Sequence, residues 1–272
     1  MTKPTPASAG RTARRDAARK KRRNIIIAAV AVVLLLAAGG VLVFSGGGEE
    51  KVAKAAPVTT TTTTIPPTTT TIPPAASVAT TKVPDLQVYD APGGTRVLTS
   101  FSAKTDYLAP RTLLVTEQQG EWVKALLPMR PNQSEGWVRM SDVTLSQNPY
   151  KITVNLAAHE LIFTKDGQEI LRTGIVGGSP RTPTPLGTYY ITDPVDLRTR
   201  PGGAYGAYAL GLSGYSEVLL EFNGGPGQIA IHGTNNPELI GQDVSNGCIR
   251  IENDAVVAIA TQAPLGTPVV IS

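Results

Sequence analysis

Twenty consecutive residues without a charge, Ile25–Phe44, stand directly behind a segment, residues 1–23, that holds nine Lys/Arg and one acid. As a helix such a run spans roughly 30 Å, the hydrocarbon thickness of a bilayer. A cleavable signal peptide has a shorter apolar stretch, about 7–15 residues. The chain's single cysteine, Cys248, lies far from this segment, so no lipid attachment site follows it. The reading is a single transmembrane helix over 24–44, held by a basic cytoplasmic tail over 1–23, with everything beyond residue 45 facing outward. The formal net charge of +4 and pI near 9.2 belong to that tail. The remaining chain has more acids than bases, so nucleic acid is not an expected partner.

Residues 45–82 read as a linker. Thr61–Pro67 and Thr68–Pro74 are the same seven residues, TTTTIPP, written twice. Proline fixes φ and favours extended polyproline geometry, and a Thr tract offers no core. At about 3.1 Å per residue this spacer reaches on the order of 100 Å.

Two segments beyond the linker carry alternating patterns. Over 83–146, strands are expected at Leu86–Tyr89, Arg96–Phe101, Thr112–Thr116, Glu121–Leu126 and Gly136–Met140, punctuated by Pro92-Gly93-Gly94 and Pro128–Pro131. The run Val88-Tyr89, Trp122-Val123-Lys124 and Gly136-Trp137-Val138 resembles the bacterial SH3-like domain, a small barrel. Trp122 and Trp137 are expected in its core. Over 150–272, strands are expected at Lys151–Leu156, Glu160–Thr164, Glu169–Ile175, Thr188–Ile191, Val218–Phe222, Ile229–His232 and Val269–Ser272. One helix is expected over Asn253–Gln262 with Asn253 as its N-cap. Asp193–Ser216, rich in Gly and Tyr, reads as a long loop covering a site. The fold class is mainly β, a small barrel followed by a larger β domain with one or two short helices.

Chemistry concentrates in His232-Gly233-Thr234-Asn235-Asn236-Pro237 and Ser245-Asn246-Gly247-Cys248-Ile249-Arg250. A thiol attacks a carbonyl as thiolate, and an imidazole can take its proton. Of the two histidines, His232 ends an expected strand, whereas His159 falls in a hairpin turn and reads as a surface residue. Gly247 removes a side chain where a carbonyl must approach, and the N–H groups of Gly247 and Cys248 could form an oxyanion hole. No metal-ligand spacing is present, and neither metal nor organic cofactor is expected.

The segment IHGTNNPELIGQDVSNGCIRIEN (231–253), together with GIVGGSPRTPTPLGTYYI (174–191), resembles the L,D-transpeptidase (YkuD-type) catalytic domain family over about 150–272. Asn246 departs from the histidine that many members place in the S-x-G-C box. The resemblance implies an L,D-transpeptidase-type β-sandwich and an acyltransferase that acts on peptidoglycan stem peptides. It implies Cys248 as nucleophile, His232 as base and the Gly233 carbonyl as its orienting group. A tetrapeptide stem would acylate Cys248, and the side-chain amine of a second stem would resolve the thioester to a 3→3 cross-link. A carbapenem would then be a covalent inhibitor. Ser245, Asn246 and Arg250 are expected to support the loop or meet substrate, and Tyr205 and Tyr208 to line the donor groove or to pack. The implied location is a bacterial cell membrane with the catalytic domain facing the wall. An L,D-carboxypeptidase on the same stems, and an inactive wall-binding protein, remain as alternatives.

Overall fold

The computed structural model describes residues 75–199 and 202–272. The expected basic tail, membrane helix and most of the linker lie outside the described residues. Among the described residues, no helix is long and apolar enough to cross a membrane.

The first unit is a seven-stranded antiparallel sheet. Its strands are β1 (Ala76–Thr81), β2 (Asp85–Tyr89), β3 (Val97–Ser102), β4 (Thr112–Gln119), β5 (Trp122–Leu126), β6 (Glu135–Arg139) and β7 (Val143–Asn148). Their order is β3-β2-β6-β5-β4-β1-β7. The five expected strands appear as β2 to β6 with ends moved by a few residues. Residues 76–81, read from the sequence as linker, instead form β1, which pairs with β4 on one side and β7 on the other. Val78 and Ala79 are buried there. The Thr-rich run disguises this strand because Thr80 and Thr81 continue its composition while adopting extended backbone, which β-branched residues favour. Trp137 is buried, whereas Trp122 is only half-buried and meets the Tyr89 ring edge-on, with Arg139 over both rings.

The second unit follows directly, with β8 (Tyr150–Asn155), β9 (Glu160–Lys165), β10 (Gln168–Gly174), β11 (Gly177–Gly178), β12 (Gly187–Asp196), β13 (Tyr208–Tyr215), β14 (Gln228–His232), β15 (Asp243–Ser245), β16 (Ile249–Arg250), α1 (Asn253–Ala260) and β17 (Pro268–Ile271). Eight strands form one mixed sheet in the order β10-β9-β8-β17-β12-β13-β14-β16, and β11 pairs with β15 separately. The fold is mainly β with few helices.

Two expectations fail here for physical reasons. Asp193–Ser216 is not all loop, because it contains the eight-residue β13, with Leu210 and Leu212 fully buried. Its glycines are packing devices: a Cβ on Gly214 would collide with the Tyr189 ring, and one on Gly211 would press on Asp193 at 3.2 Å. Val218–Phe222 is not a strand. The Ser216 hydroxyl accepts from Leu219 N–H at 3.0 Å, a turn-forming bond, and Val218 and Leu220 are exposed.

The strand β12 stands between two cores. Tyr189 and Ile191 pack into the core of the second unit, while Tyr190, fully buried, belongs to the core of the first. The Tyr190 hydroxyl donates to Leu126 O at 3.1 Å. Around it the loop after β5 grips the second unit: Arg130 Nη2 donates to Ser216 O and Leu219 O, and Asn132 exchanges bonds of 2.8 and 2.9 Å with the Tyr215 backbone. Thr105 donates to Asp193 across the same boundary.

Candidate active site

The site is built where β14 and β16 lie side by side in parallel, with Ile231 opposite Ile249 and His232 opposite Arg250. Strand side chains alternate between faces. Ile231 and Ile249 are fully buried in the core, so Ala230, His232 and Arg250 share the other face, and Cys248, one residue before β16, takes a hydrogen bond from the Ala230 N–H.

His232 is 3% exposed, and its Nδ1 lies 2.6 Å from Gly233 O. A carbonyl only accepts, so Nδ1 carries the proton and Nε2 keeps its lone pair. Burial lowers the imidazole pKa to about 4; the Gly233 bond opposes this shift and the Arg250 charge adds to it. The Gly233 turn is itself fixed: Gly233 N–H donates to Tyr208 O at 3.0 Å, and Asn253 Nδ2 donates to Thr234 O at 2.9 Å. Asn253 is therefore not the expected N-cap. Helix α1 is capped at Glu252 without a side-chain bond, and the Asn253 amide instead joins Thr234 O to Ala207 N–H.

Cys248 is half-buried and free of any disulfide. Burial pushes its thiol pKa up, against a backbone hydrogen bond from Ala230 and the charge of Arg250, both of which pull it down. The turn before it is held by Ser245, which is buried: its hydroxyl donates to Cys248 O at 2.6 Å and accepts from Gly247 N–H at 3.0 Å. That second bond corrects the expected oxyanion pair, since the Gly247 N–H is already committed. Gly247 has φ +107, a conformation a side chain would strain, and Asn246 is exposed.

Two residues outside the expected set hold this turn from the other side. Thr182 Oγ1 donates to Ser245 O and Thr184 Oγ1 donates to Gly247 O, each at 3.0 Å, while Thr184 also accepts from Gly178 N–H. They come from the TPTP segment, whose motif was visible but whose hydroxyls gave no sign of their partners. Tyr205 and Tyr208 separate. The Tyr205 ring lies 4.7 Å from the His232 ring, and burial raises its phenol pKa. Tyr208 packs against the core and contributes its carbonyl. His159 is half-buried and contacts Asp243 at 3.1 Å rather than standing free on the surface. Among the described residues no group of His, Cys, Asp or Glu could hold a metal.

A sequence profile of the L,D-transpeptidase catalytic domain family, YkuD, matches residues 149–271. The protein YkuD of Bacillus subtilis, named as an L,D-transpeptidase, is 37% identical over 124 residues, covering 46% of this chain and 66% of its own length. YqjB of the same organism, similarly named, is 33% identical over 133 residues, covering 47% of this chain and 73% of its own length. Among solved structures, L,D-transpeptidase 3 from Mycobacterium tuberculosis aligns with a TM-score of 0.40 at 14% identity, covering 60% of this chain and 92% of that one. With nearly three quarters of YqjB matched at that identity, the chain belongs to the L,D-transpeptidase catalytic domain family.

Proposed function

We propose that the protein is a membrane-anchored peptidoglycan L,D-transpeptidase that forms 3→3 cross-links through a thioester on Cys248. The observation that carries this reading is the His232 tautomer: with Nδ1–H held by Gly233 O, Nε2 is free on the same strand, β14, whose Ala230 N–H bonds the Cys248 thiol. His232 takes the thiol proton as Sγ attacks the carbonyl of the third residue of a tetrapeptide stem. The tetrahedral oxyanion is met by Cys248 N–H. Collapse breaks the amide, and the proton on Nε2 passes to the departing D-alanine amine. In the second step the side-chain amine of another stem attacks the thioester, His232 takes its proton, and the thiol is restored. Ser245, Thr182 and Thr184 keep the nucleophile's turn in place throughout. Residues 24–44 anchor the chain, the Thr/Pro linker carries the domains toward the wall, and the first sheet serves as an SH3-like module.

The test is incubation of the protein with disaccharide-tetrapeptides, with products read by mass spectrometry. A dimer lacking one D-alanine supports transfer, and tripeptide alone replaces transfer with hydrolysis. No product from the wild type defeats the enzyme reading. Cys248→Ala is expected to lose all turnover, and a carbapenem is expected to add covalently to the wild type and not to this variant.

A further inference from the structure

Arg250 is a cation without an anion. Elsewhere on the second unit Arg172 is paired with Glu160 and Glu169 and Arg198 with Asp196, and Arg181, which has no ion pair among the described residues, is exposed to water. Arg250 forms no salt bridge among the described residues, and its Nε is buried with no hydrogen-bond partner. Its backbone is fixed on both sides, opposite His232 in the β14–β16 ladder and in a reciprocal bridge with Val176 at 2.8 and 3.1 Å. Arg250 is half-buried, a buried guanidinium N–H without an acceptor is costly, and a carboxylate that presents two oxygens matches it. A support role for the loop does not account for this arrangement, because the turn is already held through Ser245, Thr182 and Thr184.

Position narrows which carboxylate fits. Cys248 and Arg250 are two residues apart, about 6.6 Å along an extended chain. In a peptide whose penultimate carbonyl meets the thiol, the terminal carboxylate is one residue further on, about 3.5 Å, within the span from Cys248 to the long Arg250 side chain. The Arg250 charge acts on both Cys248 and His232, which places the guanidinium near the reacting groups. We infer that Arg250 is a substrate-binding residue that holds the C-terminal carboxylate of the donor peptide, so that the site selects chains ending one residue beyond the scissile amide. This rests on the acyl-transfer reading of the same site. The Arg250 charge also pulls the Cys248 thiol pKa down, so the test must separate its effect on the thiol from its effect on an incoming anion.

Two alkylating probes make that separation on the full chain. Iodoacetate and iodoacetamide form the same C–S bond with loss of iodide and differ in one carboxylate. In Arg250→Gln a lower thiol reactivity slows both equally. A carboxylate site slows iodoacetate by roughly tenfold more than iodoacetamide, and Arg250→Lys recovers part of that ratio. An unchanged ratio overturns the inference. Should the variants fold poorly, the wild type supplies a second measurement: N-acetyl-D-alanine is expected to slow alkylation by iodoacetamide, and N-acetyl-D-alanine amide is not. Equal effects of the two overturn the inference as well. Neither measurement needs turnover of a stem peptide. A shifted ratio without cross-linked product therefore rejects the transpeptidase reading alone, and cross-linked product with an unshifted ratio rejects the carboxylate site alone.

Discussion

His232 and Cys248 both rest uncharged at neutral pH, since burial lowers the imidazole pKa to about 4 and raises that of the thiol. In the proposed reaction the thiolate thus forms as the bond to carbon forms, and is not stored beforehand as an ion pair. Alkylation by iodoacetamide is expected to keep rising through pH 9; a plateau near neutrality would contradict this order of events. The same burial has a consequence for folding. His232 is protonated more readily in the unfolded chain, whose imidazole pKa is near 6.5, than in the folded one. Its contribution is fully present above pH 6.5 and is lost as pH falls toward about 4, at most roughly 3 kcal/mol for a shift of this size. Denaturant midpoints measured from pH 7 to pH 4 are expected to fall more steeply in the wild type than in His232→Gln; parallel curves would remove His232 as the cause. At this scale the sequence narrows the candidates to His232 and Cys248, because a two-histidine, one-cysteine chain leaves few combinations. It could not disclose that the Gly247 N–H is spent on Ser245, since hydrogen bonds across a turn leave no compositional trace.

The turn 245–248 depends on an element far from it in sequence. Thr184 joins Gly178 N–H to Gly247 O, so Thr184→Val leaves a buried donor and a buried acceptor without partners. The expected cost is about 1–3 kcal/mol. The rate of Cys248 acylation by a carbapenem is expected to fall on the order of 10–100-fold, because a small displacement of a nucleophile is kinetically expensive. Stopped-flow acylation checks this, and a wild-type rate would show the turn to be held without Thr184. Gly214 makes the comparable case for β13: Gly214→Ala sets a methyl against the Tyr189 ring, with an expected loss of about 1–3 kcal/mol in chemical denaturation. These two positions explain which elements the sequence revealed. Alternation marked β8, β9 and β14 plainly, whereas β13 was hidden because Gly211 and Gly214, which make its packing possible, also read as loop residues. In α1 the helical span was readable, but the Asn253 side chain is drawn away to Ala207 and Thr234, so the capping rule named the wrong use for it.

For the molecule as a whole, two sequence segments with separate patterns do not amount to two independent bodies. Tyr190 is buried in one core while its neighbours Tyr189 and Ile191 are buried in the other, and Arg130, Asn132 and Thr105 tie the boundary with hydrogen bonds. Calorimetry of residues 75–272 is expected to show a single transition, and Tyr190→Ala is expected to lower it as a core deletion of about 3–5 kcal/mol. Two resolved transitions would show the units to unfold separately. Sequence patterning could not anticipate this coupling, because alternation says which residues turn inward and not whose interior they enter. The double-faced position of β12 also restricts how the chain can change over time. Side-chain direction in a strand has a period of two, so one residue inserted or deleted between Thr188 and Thr192 would send each tenant of one interior into the other. Most strands survive such an event by sliding against one neighbour; β12 is held in register by β17 over Gly187–Tyr190 and by β13 over Ile191–Asp196, so a slide breaks one ladder or the other. Length variation is therefore excluded from this strand and displaced to its flanks, where Tyr205 meets the His232 ring on one side and Thr182 and Thr184 hold the turn before Cys248 on the other.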